Sequence, residues 1–415
     1  MNRITIRSGS VVVLAGALFV ATLTSAPSAG AQSNVLGTKQ TAKGTPVKIG
    51  LITDGKTSGS DNTIETPVAE ATVEWINQYR NGVGGHPIDL DICVANAEAA
   101  KAVDCANQMI RDKVAAVVFG ANAQAQASWE PLRAAGIPTF AFAFGNQAAL
   151  QDPTSTFVFG SGTNIYTILN IGAAKSMKPK AKKLSAVVID VPAATDFWKT
   201  LAPGIFKEAG LELELVTVPL GTADMTAQMQ KLVANNPNGV VQVVGNDAFC
   251  IAAFNGLRTA GFKGQVTAIT QCLSDATRTA VPTDFLEGIK IFSTGPLENP
   301  KDPSIKQYYA VLDKFGAADV DKTRTTGMSM FQGMSGLNVA TQNLKGEATP
   351  ASIIAAAKSM PWSVVPGTGG LHAQCGANVL EGNPAVCMPG GLLATLGADG
   401  KVTKYTPAYD VKPSA

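Results

Sequence analysis

From residue 46 onward, short apolar runs alternate with stretches whose apolar residues recur at helical spacing. "VKIGLIT" is followed by "ETPVAEATVEWINQYR", where Val68, Ala71, Val73, Trp75 and Ile76 suit one buried helix face. "IDLDIC", "AAKAVDCANQMIR", "VAAVVFG", "ASWEPLRAAG" and "PTFAFAF" continue the alternation. After "STFVFGSGTN" it starts again with "LSAVVID", "DFWKTLAPGIFKEAG", "LELELVTVP", "MTAQMQKLVAN", "GVVQVVG", "CIAAFNGLRTAG" and "GQVTAIT". Strands that are apolar throughout, rather than on alternate residues, belong to parallel sheets covered by helices on both faces. The pattern therefore predicts an α/β protein with two doubly wound parallel-sheet lobes. No Pro/Ser-rich linker separates them, so ordered crossing strands are expected to join the lobes. The tail "GGLLATLGADGKVTKYTP" predicts a hairpin turning at Asp399-Gly400.

The first 31 residues stand outside this pattern. Arg3 and Arg7 precede the apolar run "VVVLAGALFVATL", and "SAGAQS" offers a small-residue cleavage site after Ala31. The reading is a cleaved signal peptide and an exported, soluble mature chain beginning near Gln32. No Cys near the cut could accept a lipid, and no second run approaches membrane-spanning length. Losing Arg3 and Arg7 leaves 31 basic and 31 acidic residues, a balance that disfavours nucleic acid as a partner. The one basic stretch, "KSMKPKAKK", reads as a solvated helix end and loop. Cys93, Cys105, Cys250, Cys272, Cys375 and Cys387 form an even set in an exported chain, which predicts three disulfides. They permit fifteen connectivities and fall into three close sequential pairs. With no C-x-x-C spacing and only His86 and His372, no metal site or cofactor is expected.

Catalytic motifs are few. "GLITDGKT" satisfies the phosphate-binding pattern G-x-x-x-x-G-K-[ST], but Gly50 falls inside the strand "VKIGLIT" where that loop needs its first glycine beyond the strand. Gly333-Met334-Ser335-Gly336 breaks the nucleophile-elbow pattern, and H-E-x-x-H is absent. His86, between Gly85 and Pro87, and His372, in "GTGGLHAQC", read as loop residues, the latter exposed. A paired-carboxylate hydrolase stays open, but the chain reads as no enzyme.

The order of the pieces resembles bacterial extracytoplasmic solute-binding proteins of the leucine/isoleucine/valine-binding type, which serve ABC importers. The resemblance covers roughly residues 46 to 410 and rests on "VKIGLITDGKTSG", "INQYRNGVGGHPIDLDIC", "GLRTAGFKG" and "EGIKIFSTGP". It implies a type I periplasmic-binding-protein fold whose lobes close on a ligand. The N-terminal lobe is expected at 46–160 and 297–370, and the C-terminal lobe at 161–296 and 371–410, with crossings near 160–164, 293–297 and 365–375. The cysteines resemble those of actinobacterial-type members, which suggests Cys93–Cys105, Cys250–Cys272 and Cys375–Cys387. The implied partners are a small-molecule ligand and a membrane permease, for a monomer in the periplasm or cell envelope. A ligand sensor for a membrane signalling protein is the alternative of another class.

Ligands of open α/β sheets bind at the carboxyl ends of strands, where helix N-termini present N–H groups. Those ends are "TDGKTSGSDN", "ANAQAQ" and "FAFGNQ" in the first lobe and "DVPAATDF", "GNDAF" and "TQCLS" in the second, with Thr163 at the first crossing. The resemblance implies that Ser and Thr of the "ANAQAQ" loop hold a ligand carboxylate in amino-acid-binding relatives. Here Gln124 stands at the Ser position and Asn146 replaces a Thr. Ala194, beside Thr195, stands at a Tyr position and Phe249 at that of the acid that meets the ligand ammonium, with Asp247 a possible substitute. A buried ammonium without a charged partner is costly, so a free α-amino acid is a poor ligand under this alignment, though branched-chain amino acids remain the alternative. Phe142, Phe144, Phe249, Phe331, Met328 and Met330 suggest an apolar, aromatic or alicyclic carboxylic acid, with Lys56 pairing its charge and Asn122, Gln124, Asn146 and Gln271 orienting polar groups. Each has a plainer reading. Phe142 and Phe144 alternate along a strand and suit the core, the methionines suit helix packing, and Lys56 suits solvent. Trp129 and Trp198, at helix starts, are read as core.

Overall fold

The computed structural model describes residues 35–57, 60–144, 146–160, 164–402 and 404–413. The signal-peptide segment and Thr163 lie outside them. The first half runs β1 (Val47–Thr53), α1 (Glu65–Tyr79), β2 (Ile88–Val94), α2 (Ala99–Arg111), β3 (Ala116–Phe119), α3 (Ala125–Ala134), β4 (Thr139–Ala141), α4 (Gln147–Leu150) and β5 (Thr156–Val158). These strands make one parallel sheet in the order β2-β1-β3-β4-β5. Only Lys48 of β1 is exposed, as expected for a strand covered on both faces. Gly50 is needed for that cover, since a Cβ there would lie 2.5 Å from Met109 Sδ of α2. The glycine of the apparent phosphate motif is thus a packing residue inside a strand, and the next described helix, α1, opens only at Glu65.

The second unit runs α5 (Asn164–Ser176), β6 (Lys183–Ile189), α6 (Pro192–Thr200), α7 (Ala202–Glu208), β7 (Glu212–Val218), α8 (Thr226–Asn235), β8 (Val240–Val244), α9 (Asp247–Thr259), β9 (Gln265–Ile269), α10 (Asp275–Ala280), α11 (Thr283–Leu286) and β10 (Lys290–Ser293). The chain then returns through α12 (Pro303–Lys314), α13 (Thr325–Thr341), α14 (Pro350–Lys358) and the short pair β11 (Ser363–Val364) and β12 (His372–Ala373). It ends with β13 (Gly391–Thr395) and β14 (Thr406–Ala408). The second sheet has the order β14-β13-β10-β9-β8-β6-β7, parallel except for β13 and β14. The hairpin turns at 397–400, where Gly400 N donates to Gly397 O.

Helices α12 and α13 return to the first lobe and complete its core. Trp75 of α1 stacks on Phe331 of α13 at 5.6 Å, and Phe331 meets Tyr308 of α12 at 5.3 Å. The opposite face of that sheet buries Met109, Trp129 and Phe144. In the second lobe Trp198 stacks on Phe206 at 5.9 Å. Cys93–Cys105 ties β2 to α2, Cys250–Cys272 ties α9 to the end of β9, and Cys375–Cys387 closes a loop near the C-terminus. All three pairs are those that the resemblance suggested. Each such bridge contributes about 2–4 kcal/mol by restricting the unfolded chain.

One boundary differs from the sequence reading. Residues 371–388 remain on the first lobe, where Leu371, Ala373, Cys375, Cys387 and Met388 join its core. Val386 bridges Val158 in parallel, with Val158 N donating to Ala385 O and Cys387 N to Val158 O, both at 2.8 Å. The reason is an unpaired edge: β5 ends the sheet, and the segment 385–387 pairs with it before the chain crosses at 388–390. The second crossing is fixed at both ends. Gln332 Nε2 of α13 donates to Thr294 O (3.1 Å) and Gly367 O (2.8 Å), while Glu298 pairs with Arg278 and accepts from Val402 N (2.6 Å). Residues 295–297 are left between the two anchors. No described helix is long and apolar enough to cross a membrane.

Candidate ligand cleft

The carboxyl ends of both parallel sheets face one another, and two of the cavities between the lobes lie at these ends. One, of about 510 Å³, is lined by Gln124, Gln126, Glu130 and Asn146 of the first lobe and Asp190, Thr195, Asp196 and Lys199 of the second. The other, of about 680 Å³, lies between Thr57, Ser60, Asp61 and Arg324 on one side and Thr222, Asn246, Asp247, Phe249 and Ser274 on the other. Gln271 and Thr326 line a narrow recess beside it. The lobes touch where Gln147 N, at the start of α4, donates to Asp196 Oδ2 of α6 at 2.7 Å.

On the first lobe two buried carboxylates organise the loops. Asp54 follows β1, and its oxygens accept from Ala97 N (2.9 Å) and Ala123 N (2.7 Å), drawing the loops after β2 and β3 together. Glu65, in the first turn of α1, accepts from Ala121 N (2.8 Å) and from the Thr53 hydroxyl. Burial pushes both carboxyls up, against the pull of these hydrogen bonds; Glu65 reaches about 7, with the Asp54 charge adding to the rise and the Arg324 charge opposing it. Asp61 is held below its usual range, chiefly by the Thr63 hydroxyl and N–H, with Arg324 and Lys56 adding to it. On the second lobe the starts of α9 and α10 cap themselves. Asn246 Oδ1 accepts from Phe249 N (2.9 Å), Asp247 Oδ1 from Ala248 N (3.1 Å) and Ser274 Oγ from Thr277 N (3.1 Å).

The cleft gathers Gln124, Asn146, Thr195, Asp247, Phe249 and Gln271 of the expected residues. Thr195 also donates to Val191 O, and Ala194 sits half-buried on the same turn against the second core. Others are elsewhere. Phe331 is fully buried in the first core and Met328 and Met330 lie beside it, because α13 is buried along nearly its whole length. Phe144 packs edge-on against Phe119 at 5.1 Å, in the core. Phe142, one residue past the end of β4, is half-buried. Asn122 is buried and structural: its Nδ2 donates to Ser128 Oγ and its Oδ1 accepts from Gln124 N. Lys56 is 74 % exposed and 3.9 Å from Asp61. Trp129 and Trp198 are core. His86 bridges Thr45 O and Gly346 O, each at 2.8 Å; His372 is half-buried rather than exposed, flat on Trp362 and 3.0 Å from Asp410. Among the described residues no cluster of His, Cys, Asp and Glu could hold a metal ion.

Sequence reasoning missed Asp54, Glu65, Asp196 and Arg324. Asp54-Gly55 reads as a turn, and Arg324 is one charge among Asp319, Asp321 and Lys322.

A family model described as "Periplasmic binding protein" matches residues 46–382. The chain belongs to the periplasmic binding protein family. This periplasmic binding protein is similar in fold to an extracellular ligand-binding receptor from Verminephrobacter eiseniae ef01-2, at 17% identity and a TM-score of 0.69 over 86% of this chain and 100% of that one. It is similar to a branched-chain amino acid transporter substrate-binding protein from Streptococcus pneumoniae in complex with isoleucine, at 17% identity and a TM-score of 0.64, covering 88% and 99% of the two chains. It is also similar to a solute-binding protein of an ABC transporter from Rhodopseudomonas palustris BisB5 in complex with 3,4-dihydroxybenzoic acid, at 17% identity and a TM-score of 0.67, covering 89% and 98%. No curated protein matched in the sequence comparison. The two-lobed α/β fold expected of this periplasmic binding protein is the fold observed.

Proposed function

We propose that this protein is the extracytoplasmic solute receptor of an ABC importer of the branched-chain-amino-acid type. The observation that carries the reading is the facing pair of strand ends with cavities between them, in a chain of the periplasmic binding protein family. Such a receptor catalyses nothing. Ligand contacts from both lobes favour the closed state, and the permease recognises that state. The segment 295–297, anchored at both ends, is where the second crossing bends. Three disulfides suit an oxidising compartment, and export by the N-terminal signal peptide places the monomer there.

The features that pointed to an apolar acid have largely left the cleft. Most of the aromatic and Met side chains are core, and Lys56 sits against Asp61. The receptor reading itself does not depend on them. Thermal-shift screening of a solute library, followed by small-angle scattering on each hit, tests it. A true ligand raises stability by about 2.7 kcal/mol at a hundredfold excess over Kd and shrinks the radius of gyration. Deleting the protein then abolishes uptake of that solute. Intact uptake with altered gene expression would instead establish a sensor.

A further inference from the structure

Several of the seats for an anion at the strand ends are already taken. Backbone N–H groups of such loops and helix starts are the natural receivers of a carboxylate or phosphate. In the first lobe Ala121 N donates to Glu65, Ala123 N to Asp54 and Gln124 N to Asn122. At α4, Gln147 N donates to Asp196 across the cleft and Ala148 N to Asn146. In the second lobe the starts of α9 and α10 are closed by Asn246, Asp247 and Ser274. An incoming carboxylate would have to displace a side chain of the protein at each of these positions.

Charge points the same way. In the smaller cavity Glu130, Asp190 and Asp196 stand against Lys199, which is itself 3.9 Å from Asp190. In the larger one Asp61, Asp247 and Asp321 stand against Arg324, whose Nη2 donates to Asp61 O. An independent observation concerns Asn146, which lines the smaller cavity and is 5 % exposed. Its Oδ1 caps Ala148 N, which fixes the amide's orientation, and its buried Nδ2 has no hydrogen-bond partner. That donor asks for an acceptor on whatever enters.

We infer that the cleft takes a polar solute carrying amine or amide donors and at least one neutral acceptor oxygen, and rejects free carboxylates. The inference rests on the receptor reading and narrows it. Asp54 and Asn122 already hold the N–H groups of Ala123 and Gln124, which line the smaller cavity.

The test uses the full mature chain and matched probes. Isobutyl, benzyl and cyclohexyl skeletons are each supplied as primary amine, primary amide and carboxylate, and binding is read by thermal shift and calorimetry. The expected result is that an amide, which carries both donors and a neutral acceptor oxygen, binds and its carboxylate counterpart binds at least about tenfold more weakly. A carboxylate that binds as tightly as its amide overturns the inference and leaves the receptor reading standing. If no probe of any class shifts the melting temperature, the receptor reading falls and the inference with it. Asn146→Asp keeps the helix cap and replaces the donor by an acceptor, so it should weaken the best amide about tenfold. An unchanged amide affinity would overturn the role of Asn146, and the wild-type series decides the ligand class even if this variant folds poorly.

Discussion

The two lobes solve the same problem at their facing strand ends by different means. In the second lobe the starts of α9 and α10 are capped locally, by Asn246 and Asp247 one to three residues from the N–H groups they accept and by Ser274 three residues from Thr277. In the first lobe the loops are held from a distance. Asp54 reaches Ala97 and Ala123, 43 and 69 residues away, and Glu65 reaches Ala121, 56 residues away. Local caps can be replaced one at a time with modest effect. Remote carboxylates set the relative positions of three loops at once, so the first lobe carries the more rigid wall of the cleft.

Removing the distant anchor should therefore have the largest effect. Asp54→Ala leaves two loop N–H groups without their charged acceptor, and urea unfolding should show a loss of about 2–4 kcal/mol. A loss below about 1 kcal/mol would mean that the loops hold themselves. Glu65 contributes a pH dependence next. Its carboxyl rises on folding from 4.5 to about 7, so the folded state binds more protons between those values. Its contribution is full below the unfolded value, declines as pH rises toward 7 and is gone above, a swing of about 3 kcal/mol. Glu65→Gln should flatten that slope when unfolding is followed from pH 4 to 8; an unaltered slope would assign it to other groups. Asn246→Ala removes a local cap and should cost about 1 kcal/mol, measurable by the same denaturation. If it proves as costly as Asp54→Ala, the contrast between the lobes disappears. Lys56→Met should be the smallest, within about 0.5 kcal/mol, since its ion pair is exposed.

The same contrast explains what the sequence could and could not disclose. Strand and helix periodicity made both lobes legible because it is a property of neighbouring residues. The Asp399-Gly400 turn was legible for the same reason. Asp54 and Glu65 looked ordinary, because their partners are brought to them only by the completed sheet. The aromatics of 142–144 and 331 resembled cleft residues since strand ends were located correctly, yet facing was not. Phe144 turned to Phe119, and Phe331 to Trp75. Residues 371–388 were placed on the wrong lobe because an open sheet edge beside β5 leaves no mark in the sequence.

That edge has a consequence for how the chain is made. Synthesis delivers the first lobe's strands early, but the segment that covers β5 and the helix that fills its core, with Phe331, arrive only near the end. Strands β6 to β10 of the second lobe are contiguous by comparison and lack only the terminal hairpin. The part translated first is thus the part finished last, and until residue 387 is available a nascent chain presents an open apolar flank to chaperones. Nascent chains stalled near residue 300 should yield a protease-resistant second lobe and a readily cleaved first one; equal resistance would show that the first lobe closes without its late pieces.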